Sequence, residues 1–363
     1  MALNEIITVS TRPNLALVKY WGKRRLGEDC QDPALNLPQN SSFSITLDSG
    51  DMLLTKTSVV FSERFTEDNF YLDGKKQDMS DPELQERFIA INKLRDIAKT
   101  KAKVLVVSNN SFPTASGFAS SASGLAALTY ASAKALGISP SFGKLSEITR
   151  IGSGSACRSL LGGFVEWSRG TLPNGSDSIA KQILDENYWP ELTAVIGITS
   201  REKKKVSSRA GMKQTVATSE LYKQWPSTAE KHVKKIEEAA KKRDFNSMAE
   251  IIMSSAMMMH ATMLDTRPPI IYLNNTSRDI IYAIEDLNAS EKRTMAAYTF
   301  DAGPNAYLIC LKNDAEKVIA KLNSVKGVEK IMTAKVGAGP KVLDASESLI
   351  DPNTLKPKVK DKE

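Results

Sequence analysis

Two spacings of apolar residues alternate along this chain, and they predict which segments are strands and which are helices. Short apolar or alternating runs are typical of strands, whereas apolar residues three or four positions apart indicate helices that bury one face. Strands are predicted at residues 6–19, 42–55, 102–108, 162–167, 193–199, 297–300, 306–311 and 329–336. Helices are predicted at residues 83–101, 124–136, 229–242, 246–263 and 276–288, and a small-residue turn at 152–158 is expected to open another.

The order of these elements favours an α+β fold, because strands and helices are mixed without a regular repeat. A chain of 363 residues can bury a large core and fits two closely packed lobes. We place the boundary near residue 190, which assigns residues 1–190 to an N-terminal lobe and residues 191–363 to a C-terminal lobe.

Composition narrows the class of protein. Hydrophobic residues make up 41% and charged residues 25%, which is typical of a folded globular chain. No uncharged apolar run approaches a membrane span and the first residues lack signal-peptide features, so we expect a cytoplasmic protein without membrane attachment. Three scattered cysteines, Cys30, Cys157 and Cys310, argue against disulfides and metal clusters. With His232 and His260 as the two histidines, carboxylate, lysine and hydroxyl chemistry is favoured.

A net charge of 49 minus 42, or +7, indicates an anionic partner. The tail at 356–363 contributes four lysines and two acids, and the basic stretch at 231–243 has the pattern of an amphipathic helix. Neither segment resembles a nucleic-acid-binding motif, so we expect a small polyanion rather than nucleic acid.

A candidate phosphate-binding loop lies between a predicted strand and a predicted helix. Its sequence at 113–122, PTASGFASSA, has small side chains that let backbone N–H groups approach an anion at a helix N-terminus. It is not a Walker A loop, because no Gly-Lys-Ser/Thr follows. Tight capping and packing is the alternative explanation of such a segment taken alone.

This loop resembles the phosphate loop of the GHMP small-molecule kinase superfamily. Further segments are similar, in the same order along the chain, to signatures of the diphosphomevalonate decarboxylase family within it. They are NLALVKYWGK (14–23), NSS (40–42), GSGSACRS (152–159), WPEL (189–192), VSS (206–208), HATMLD (260–265) and YTFDAGPN (298–305). Phe118 in the loop and the long stretch at 24–37 depart from the family pattern.

The resemblance implies a two-lobed GHMP kinase fold. Its N-terminal lobe would be of a type shared with a ribosomal protein domain, its C-terminal lobe would be ferredoxin-like, and the active site would lie between them. It also implies a homodimer and a reaction of the mevalonate pathway of isoprenoid and sterol biosynthesis. In that reaction ATP phosphorylates the 3-hydroxyl of mevalonate 5-diphosphate, and loss of phosphate and CO2 yields isopentenyl diphosphate.

Asp301 is the candidate general base. It lies in a Phe-Asp-Ala-Gly-Pro-Asn turn between two apolar strands, which would hold a carboxylate rigidly. A turn-capping aspartate is the alternative for an isolated motif. The resemblance implies that Asp301 orients the 3-hydroxyl, and it places Arg158, Ser121 and Lys19 with Asp301 in the catalytic group.

Arg158 follows two serines in a turn that can bring hydroxyl groups and a guanidinium together on an anion. A solvated surface charge is the alternative for a lone arginine. The resemblance implies that Arg158 holds the substrate carboxylate. The other substrate-binding residues that it implies are Tyr20, Lys23, Ser153, Ser155 and Arg209.

The resemblance assigns a further group of residues to ATP. An ordinary charged loop is the alternative for the lysine run at 203–205. Mg2+ is expected to enter with ATP rather than through a protein cluster, with Ser121 as its candidate contact. The residues assigned to ATP are Ser116, Gly117, Ala119, Ser120, Ser121, Lys203, Lys204 and Ser208.

Two residues inside the matched motifs receive no chemical role. His260 lies among methionines on a predicted helix and is interpreted as a core residue. Cys157 is interpreted as a small packing group, because the proposed chemistry has no thiol step.

Three alternatives stay open at this point. One is a GHMP enzyme that stops after phosphorylation or acts on the monophosphate. A second is a nucleic-acid-binding protein, motivated by the pI of about 9.1. A third is a paralogue without activity that serves as a binding partner.

Overall fold

The computed structural model describes residues 3–27, 29–111, 120–202 and 204–358. Within them the chain forms two β-sheets covered by α-helices, which confirms the prediction of a mixed fold. The strands are β1 (Ile7–Thr11), β2 (Asn14–Val18), β3 (Ser42–Asp48), β4 (Thr55–Ser62), β5 (Asn69–Leu72), β6 (Lys75–Lys76), β7 (Lys103–Asn110), β8 (Phe164–Trp167), β9 (Ala180–Leu184), β10 (Leu192–Ile198), β11 (Ala296–Phe300), β12 (Ala306–Leu311), β13 (Lys330–Val336) and β14 (Lys341–Val342). The helices are α1 (Pro82–Ala98), α2 (Ser120–Ala135), α3 (Phe142–Gly152), α4 (Ser208–Thr218), α5 (Trp225–Lys242), α6 (Phe245–Leu264), α7 (Asn275–Glu291) and α8 (Ala315–Asn323).

The first sheet has the strand order β14-β1-β4-β7-β5-β6. Side chains alternate between its two faces, as the pleat of a strand requires. Val59 and Phe61 of β4 pack with α1 and α2 on one face. Val60, on the other face, packs with Ile350 from the C-terminal segment, which therefore covers the side away from the helices.

The second sheet has the strand order β11-β12-β10-β13-β3-β8-β9, with β2 paired to β3. One face packs against α5 and α6, and the other packs against α7 and α8. Its strands come from both sides of residue 190, so β2 and β11, which are far apart in sequence, belong to one sheet. The lobe boundary near residue 190 stays a prediction.

Most predicted elements are confirmed to within a few residues, and two predictions are wrong. The strand predicted at 42–55 is two strands, because β3 ends at Asp48 and a turn containing Gly50 at φ 60° precedes β4. Residues 152–158 do not open an α-helix. They follow α3, which the sequence analysis missed, and residues 154–160 form a 3-10 helix instead.

No helix in the described part of the chain is both long enough and apolar enough to cross a membrane.

Candidate active site

A buried ion pair joins the ends of β2 and β11. Lys19 follows β2 and Asp301 follows β11, and Lys19 Nζ lies 2.6 Å from Asp301 Oδ1. The lysine side chain is 1% exposed and the aspartate side chain is 31% exposed, so ligands can reach the carboxylate but not the ammonium. Burial lowers the pKa of Lys19, and the Asp301 charge opposes that shift. The ion pair fixes the direction of the Asp301 carboxylate and leaves it accessible from one side.

Arg158 lies on the 3-10 helix and is also buried. Its Nε donates to Asn14 Oδ1 at 2.9 Å, and its Nη1 donates to Ser42 Oγ at 2.6 Å. Asn14 in turn donates to Ser159 Oγ at 2.7 Å. Among the described residues Nη2 makes no hydrogen bond. Burial lowers the pKa of Arg158, and the Asp301 charge opposes this, which places the guanidinium within electrostatic reach of the Lys19–Asp301 pair.

Two side chains hold the Lys19 backbone. Its N–H donates to Ser255 Oγ of α6 at 3.0 Å, and its carbonyl accepts from Asn40 Nδ2 at 2.8 Å. Helix α6 packs against both β2 and β11, so it backs both partners of the ion pair. The position of Lys19 therefore depends on a helix more than two hundred residues away in sequence.

Replacing Ser255 with alanine should lower kcat about tenfold with little change in KM, because a small displacement of a positioning group slows the chemical step. The substitution leaves the buried Lys19 N–H without its acceptor, which costs about 1–3 kcal/mol of stability. Steady-state kinetics and thermal unfolding measure both effects.

Ser254 provides the matched control, since it is the exposed neighbour of Ser255 on the same helix. Ser254→Ala should behave as the parent protein does. Ser255→Thr keeps a hydroxyl group and should restore most of kcat. A Ser255→Ala enzyme with parental kcat would contradict the positioning role.

His260 is buried, as predicted, and its ring centroid lies 6.4 Å from that of Phe300 at the end of β11. Burial lowers its pKa to about 4, with the Lys19 charge acting in the same direction. The imidazole is therefore neutral at physiological pH. Backbone groups of Phe300 and Asp301 hydrogen-bond to the ring, whereas Nε2 has no hydrogen-bond partner among the described residues.

Tyr20 lies beside the turn that carries Ser153 and Ser155. A Cβ on Gly154 would lie 3.1 Å from Tyr20 Oη, so the glycine permits this close approach. The tyrosine hydroxyl is buried and has no hydrogen-bond partner among the described residues, and burial raises its pKa. The Ser153 and Ser155 hydroxyls lie 3.5 Å apart. The structure thus brings these three predicted substrate-binding residues together.

Lys23 is a cation without a carboxylate partner among the described residues. Burial lowers its pKa to about 7, and the charge of Arg209 acts in the same direction. A partly buried cation beside a second cation favours an anionic ligand, because the ligand offsets both the desolvation and the repulsion.

Binding of a diphosphate should therefore weaken as the pH rises above 7. The free protein loses the Lys23 proton near that pH, whereas the bound anion favours the charged form, so binding takes up a proton. The KM for the diphosphate substrate should rise by up to about tenfold per pH unit between the free and bound pKa values of Lys23. KM measured from pH 7 to 9 tests this.

Lys23→Arg is the control, since arginine stays charged over this range. Its KM profile should be flat between pH 7 and 9. A profile as steep as that of the parent protein would assign the pH dependence to another group.

Arg209 lies near Lys23, and its guanidinium already contacts other groups of the protein. Its Nη1 forms an ion pair with Glu86 of α1, and its Nη2 donates to the Gly152 carbonyl at 3.4 Å. Both charged side chains are roughly half exposed. The structure therefore places Arg209 next to Lys23 with an internal carboxylate on its guanidinium.

Lys204 lies under the Asp301 turn. Its Nζ donates to Ser208 Oγ at 2.8 Å and to the Ala302 carbonyl at 3.3 Å, and lies 5.9 Å from the Tyr272 ring centroid. Lys204 is exposed to solvent, but neighbouring groups partly desolvate it and lower its pKa, and the Asp301 charge opposes this shift. These contacts favour a functional position over an ordinary charged loop.

Part of the predicted ATP site lies outside the described residues. Ser120 and Ser121 begin α2, but their side chains are not described. Among the described residues, no group of three histidine, cysteine or acidic side chains could hold a metal ion. The residues of the predicted ATP site outside the described ranges are Ser116, Gly117, Ala119 and Lys203, and Phe118 lies there too.

A small cavity of about 80 Å³ lies next to both ends of that segment. Asn110, at the end of β7, and Gly124, in the second turn of α2, both line it. Phe70, Leu72 and Leu125 give it apolar walls. An apolar cavity with polar groups at its edge suits a planar heterocycle.

Sequence reasoning missed several residues that support the candidate active site. Asn14 and Ser42 lie in matched motifs, but the sequence assigned them no role. Ser255 lies on α6 and Glu86 lies on α1, where nothing in the local pattern distinguishes them from other helix residues. Their contacts depend on tertiary packing.

The fold and the site define an enzyme of the GHMP small-molecule kinase class. Two family models match the chain: a diphosphomevalonate decarboxylase-like N-terminal domain at residues 11–180 and a mevalonate 5-diphosphate decarboxylase C-terminal domain at residues 194–330. The chain belongs to the diphosphomevalonate decarboxylase family, which confirms the resemblance seen in its motifs.

Individual relatives are similar to this chain along nearly its whole length. The diphosphomevalonate decarboxylase of Schizosaccharomyces pombe is 40% identical over 95% of each chain. The solved mevalonate diphosphate decarboxylase of Trypanosoma brucei superposes with a TM-score of 0.85 at 36% identity, covering 96% of this chain and 100% of that one. A structure of MDDEF in complex with MVAPP, AMPPCP and magnesium has a TM-score of 0.81 at 34% identity, covering 94% of this chain and 99% of that one.

Proposed function

We propose that this chain catalyses the ATP-dependent decarboxylation of mevalonate 5-diphosphate to isopentenyl diphosphate, with release of CO2, ADP and phosphate. The observation that carries the proposal is the Lys19–Asp301 pair beside the buried Arg158, in a chain of the diphosphomevalonate decarboxylase family. A carboxylate accessible from one side and a fixed guanidinium are the groups that this chemistry requires.

Asp301 would act on the 3-hydroxyl of the substrate. It accepts or shares the hydroxyl proton as the oxygen bonds to the γ-phosphorus and the bond from that phosphorus to ADP breaks. Lys19 Nζ stabilises the ionised carboxylate through the 2.6 Å contact and fixes its direction. Lys19 therefore acts through Asp301, since its ammonium is enclosed by protein.

Arg158 would hold the substrate carboxylate. Asn14 and Ser42 fix two nitrogens of its guanidinium, and because the group is planar they also fix the directions of the two N–H bonds of Nη2. In the second step the bond between the 3-carbon and the phosphate oxygen breaks and the carboxylate leaves as CO2. The electron pair of the broken carbon–carbon bond forms the double bond. Holding the carboxylate in one orientation aligns that bond with the departing phosphate.

The phosphorylated end of the substrate would lie against Tyr20, Lys23 and Arg209, with Ser153 and Ser155 contacting its polar groups. Support comes from the unpartnered Tyr20 hydroxyl and from the Lys23 ammonium, which lacks a carboxylate partner among the described residues. A diphosphate offers the negative charge that these donors lack.

ATP would lie at the N-terminus of α2, with Ser116, Gly117, Ala119, Ser120 and Ser121 around its phosphates. Support comes from the relative bound to AMPPCP and magnesium, and from the cavity beside this helix end, which would take the base. Lys203, Lys204 and Ser208 would approach the phosphates from the Asp301 side, where Lys204 and Ser208 hydrogen-bond to each other.

Magnesium fits this donor set if it enters with the nucleotide, since Mg2+ is usually bound through substrate phosphates and few protein groups. When bound, it offsets the negative charge that develops on the transferring phosphate. We also propose that the enzyme works in the cytoplasm as a homodimer, without nucleic acid or membrane partners.

One experiment tests the function against its alternatives. Purified protein is incubated with ATP, magnesium and either mevalonate 5-phosphate or mevalonate 5-diphosphate, and CO2 and ADP are measured together. Equal amounts of CO2 and ADP from the diphosphate support the proposal. ADP without CO2 would indicate a kinase, activity on the monophosphate alone would change the substrate, and neither product would indicate a binding protein.

A further inference from the structure

Glu86 is an acidic residue of α1 that contacts a cation of the candidate active site. Its carboxylate on α1 pairs with Nη1 of Arg209, the second residue of α4. The Arg209 charge acts on both Lys23 and Tyr20, so the guanidinium lies close to both groups. Glu86 therefore reaches the cluster of donors that faces the phosphorylated end of the substrate in the proposed function.

The fold explains how a residue of α1 reaches this place. A Cβ on Gly152 would lie 3.4 Å from the Arg87 Cα, so α1 passes directly against the end of α3. The Gly152 carbonyl accepts from Arg209 Nη2 at 3.4 Å. Close packing of α1 on Gly152 thus brings Glu86 to the guanidinium that the same glycine contacts.

The three donors of this cluster are Tyr20, Lys23 and Arg209. They differ in whether an anionic side chain already contacts them. The Tyr20 hydroxyl has no partner, and Lys23 has no carboxylate partner among the described residues. Arg209 alone of the three holds a carboxylate. Its side chain is 43% exposed and that of Glu86 is 45% exposed, so solvent and ligands can reach the pair and exchange with it.

We propose that Glu86 is an affinity-determining residue, whose carboxylate occupies Arg209 in the free enzyme and must be displaced by the phosphorylated end of the substrate. The inference rests on the proposed role of Arg209 in substrate binding. An internal carboxylate and a phosphate compete for the same guanidinium, so the ion pair weakens binding by the free energy needed to break it. Exposed ion pairs contribute about 0.2–1 kcal/mol, which corresponds to an effect of roughly one-and-a-half- to fivefold on affinity.

Isothermal titration of Glu86→Gln with inorganic pyrophosphate and with mevalonate 5-diphosphate tests the inference. The substitution keeps the size of the side chain and removes its charge, so the Kd for both ligands should fall about two- to fivefold. The gain should shrink at high salt, because a half-exposed pair is screened. Glu86→Ala repeats the test without a hydrogen-bonding group.

Two further variants separate direct competition from a general change of charge. Glu83 lies on the same helix, 80% exposed beside Arg87, so Glu83→Gln makes the same charge change one turn away and should leave Kd unchanged. In an Arg209→Ala background, Glu86→Gln should give no gain.

Equal or weaker binding by Glu86→Gln would overturn the inference, as would a gain that persists without Arg209. The first result in an enzyme that still releases CO2 from mevalonate 5-diphosphate would reject the role of Glu86 and leave the proposed function standing. Failure of the parent protein to release CO2 would instead reject the function.

Discussion

Asp301→Asn should reduce kcat by at least about a hundredfold while nucleotide affinity stays close to that of the parent protein. The substitution keeps the shape of the side chain but removes the charge that accepts the hydroxyl proton, a contribution of roughly a hundred- to ten-thousandfold. It also leaves the buried Lys19 ammonium without the negative charge that lies 2.6 Å from it. A coupled ADP assay and a titration with a fluorescent nucleotide measure the two quantities.

Loss of the ion pair could also unfold the protein, so thermal unfolding must be measured beside activity. Asp279→Asn is a suitable control, because Asp279 is a half-exposed residue of α7 that pairs with its neighbour Arg278. Near-parental turnover in a folded Asp301→Asn protein would remove Asp301 from the catalytic group.

Arg158→Lys should lower kcat by about a hundredfold. The assay measures release of CO2 and release of ADP separately. Lysine keeps a positive charge but cannot donate to Asn14 and Ser42 while also reaching a ligand, since its ammonium lacks the planar arrangement of donors. Misalignment of the substrate carboxylate should slow phosphoryl transfer as well as decarboxylation. ADP released in excess of CO2 would show that the two steps have become uncoupled.

Arg150 offers a matched control for replacing a buried arginine. Its guanidinium donates to the backbone carbonyls of Leu35, Gly175 and Ser178, and it contacts none of the proposed catalytic groups. Arg150→Lys should lower the melting temperature but leave kcat per folded molecule close to the parental value. If Arg158→Lys behaves in the same way, Arg158 is a structural residue and the account of how the carboxylate is held is wrong.

The motifs and the main elements of the fold could be predicted from the sequence because they are local. Apolar spacing located α1, α6 and the paired strands β11 and β12, since each element must present one face to a core. The stretch at 298–305 placed Asp301 in a turn after a strand, where the structure has it. The small residues at 113–122 predicted a phosphate loop only together with the family resemblance, and because most of that segment lies outside the described residues the loop stays a prediction.

Elements with weak patterns were missed for a physical reason. Helix α3 buries Leu145, Ile148 and Ile151 at helical spacing, but it is short and ends at Gly152, so the small-residue turn after it dominated the interpretation. The turn at Gly50 was read as part of a longer strand. Helix α3 ends where Ser153 adopts an extended conformation, and β3 ends just before the turn that contains Gly50.

The sequence by itself determined the mixed fold, the family and the residue types that carry the chemistry. Tertiary structure alone decided which of them meet. Lys19 and Asp301 are 282 positions apart, and Lys19 and Ser255 are 236 apart, so no local pattern links them. The same holds for Glu86 and Arg209, on helices from different parts of the chain. These contacts arise because α6 packs on both β2 and β11 and α1 packs on Gly152, and such distances follow from how whole elements pack rather than from local sequence.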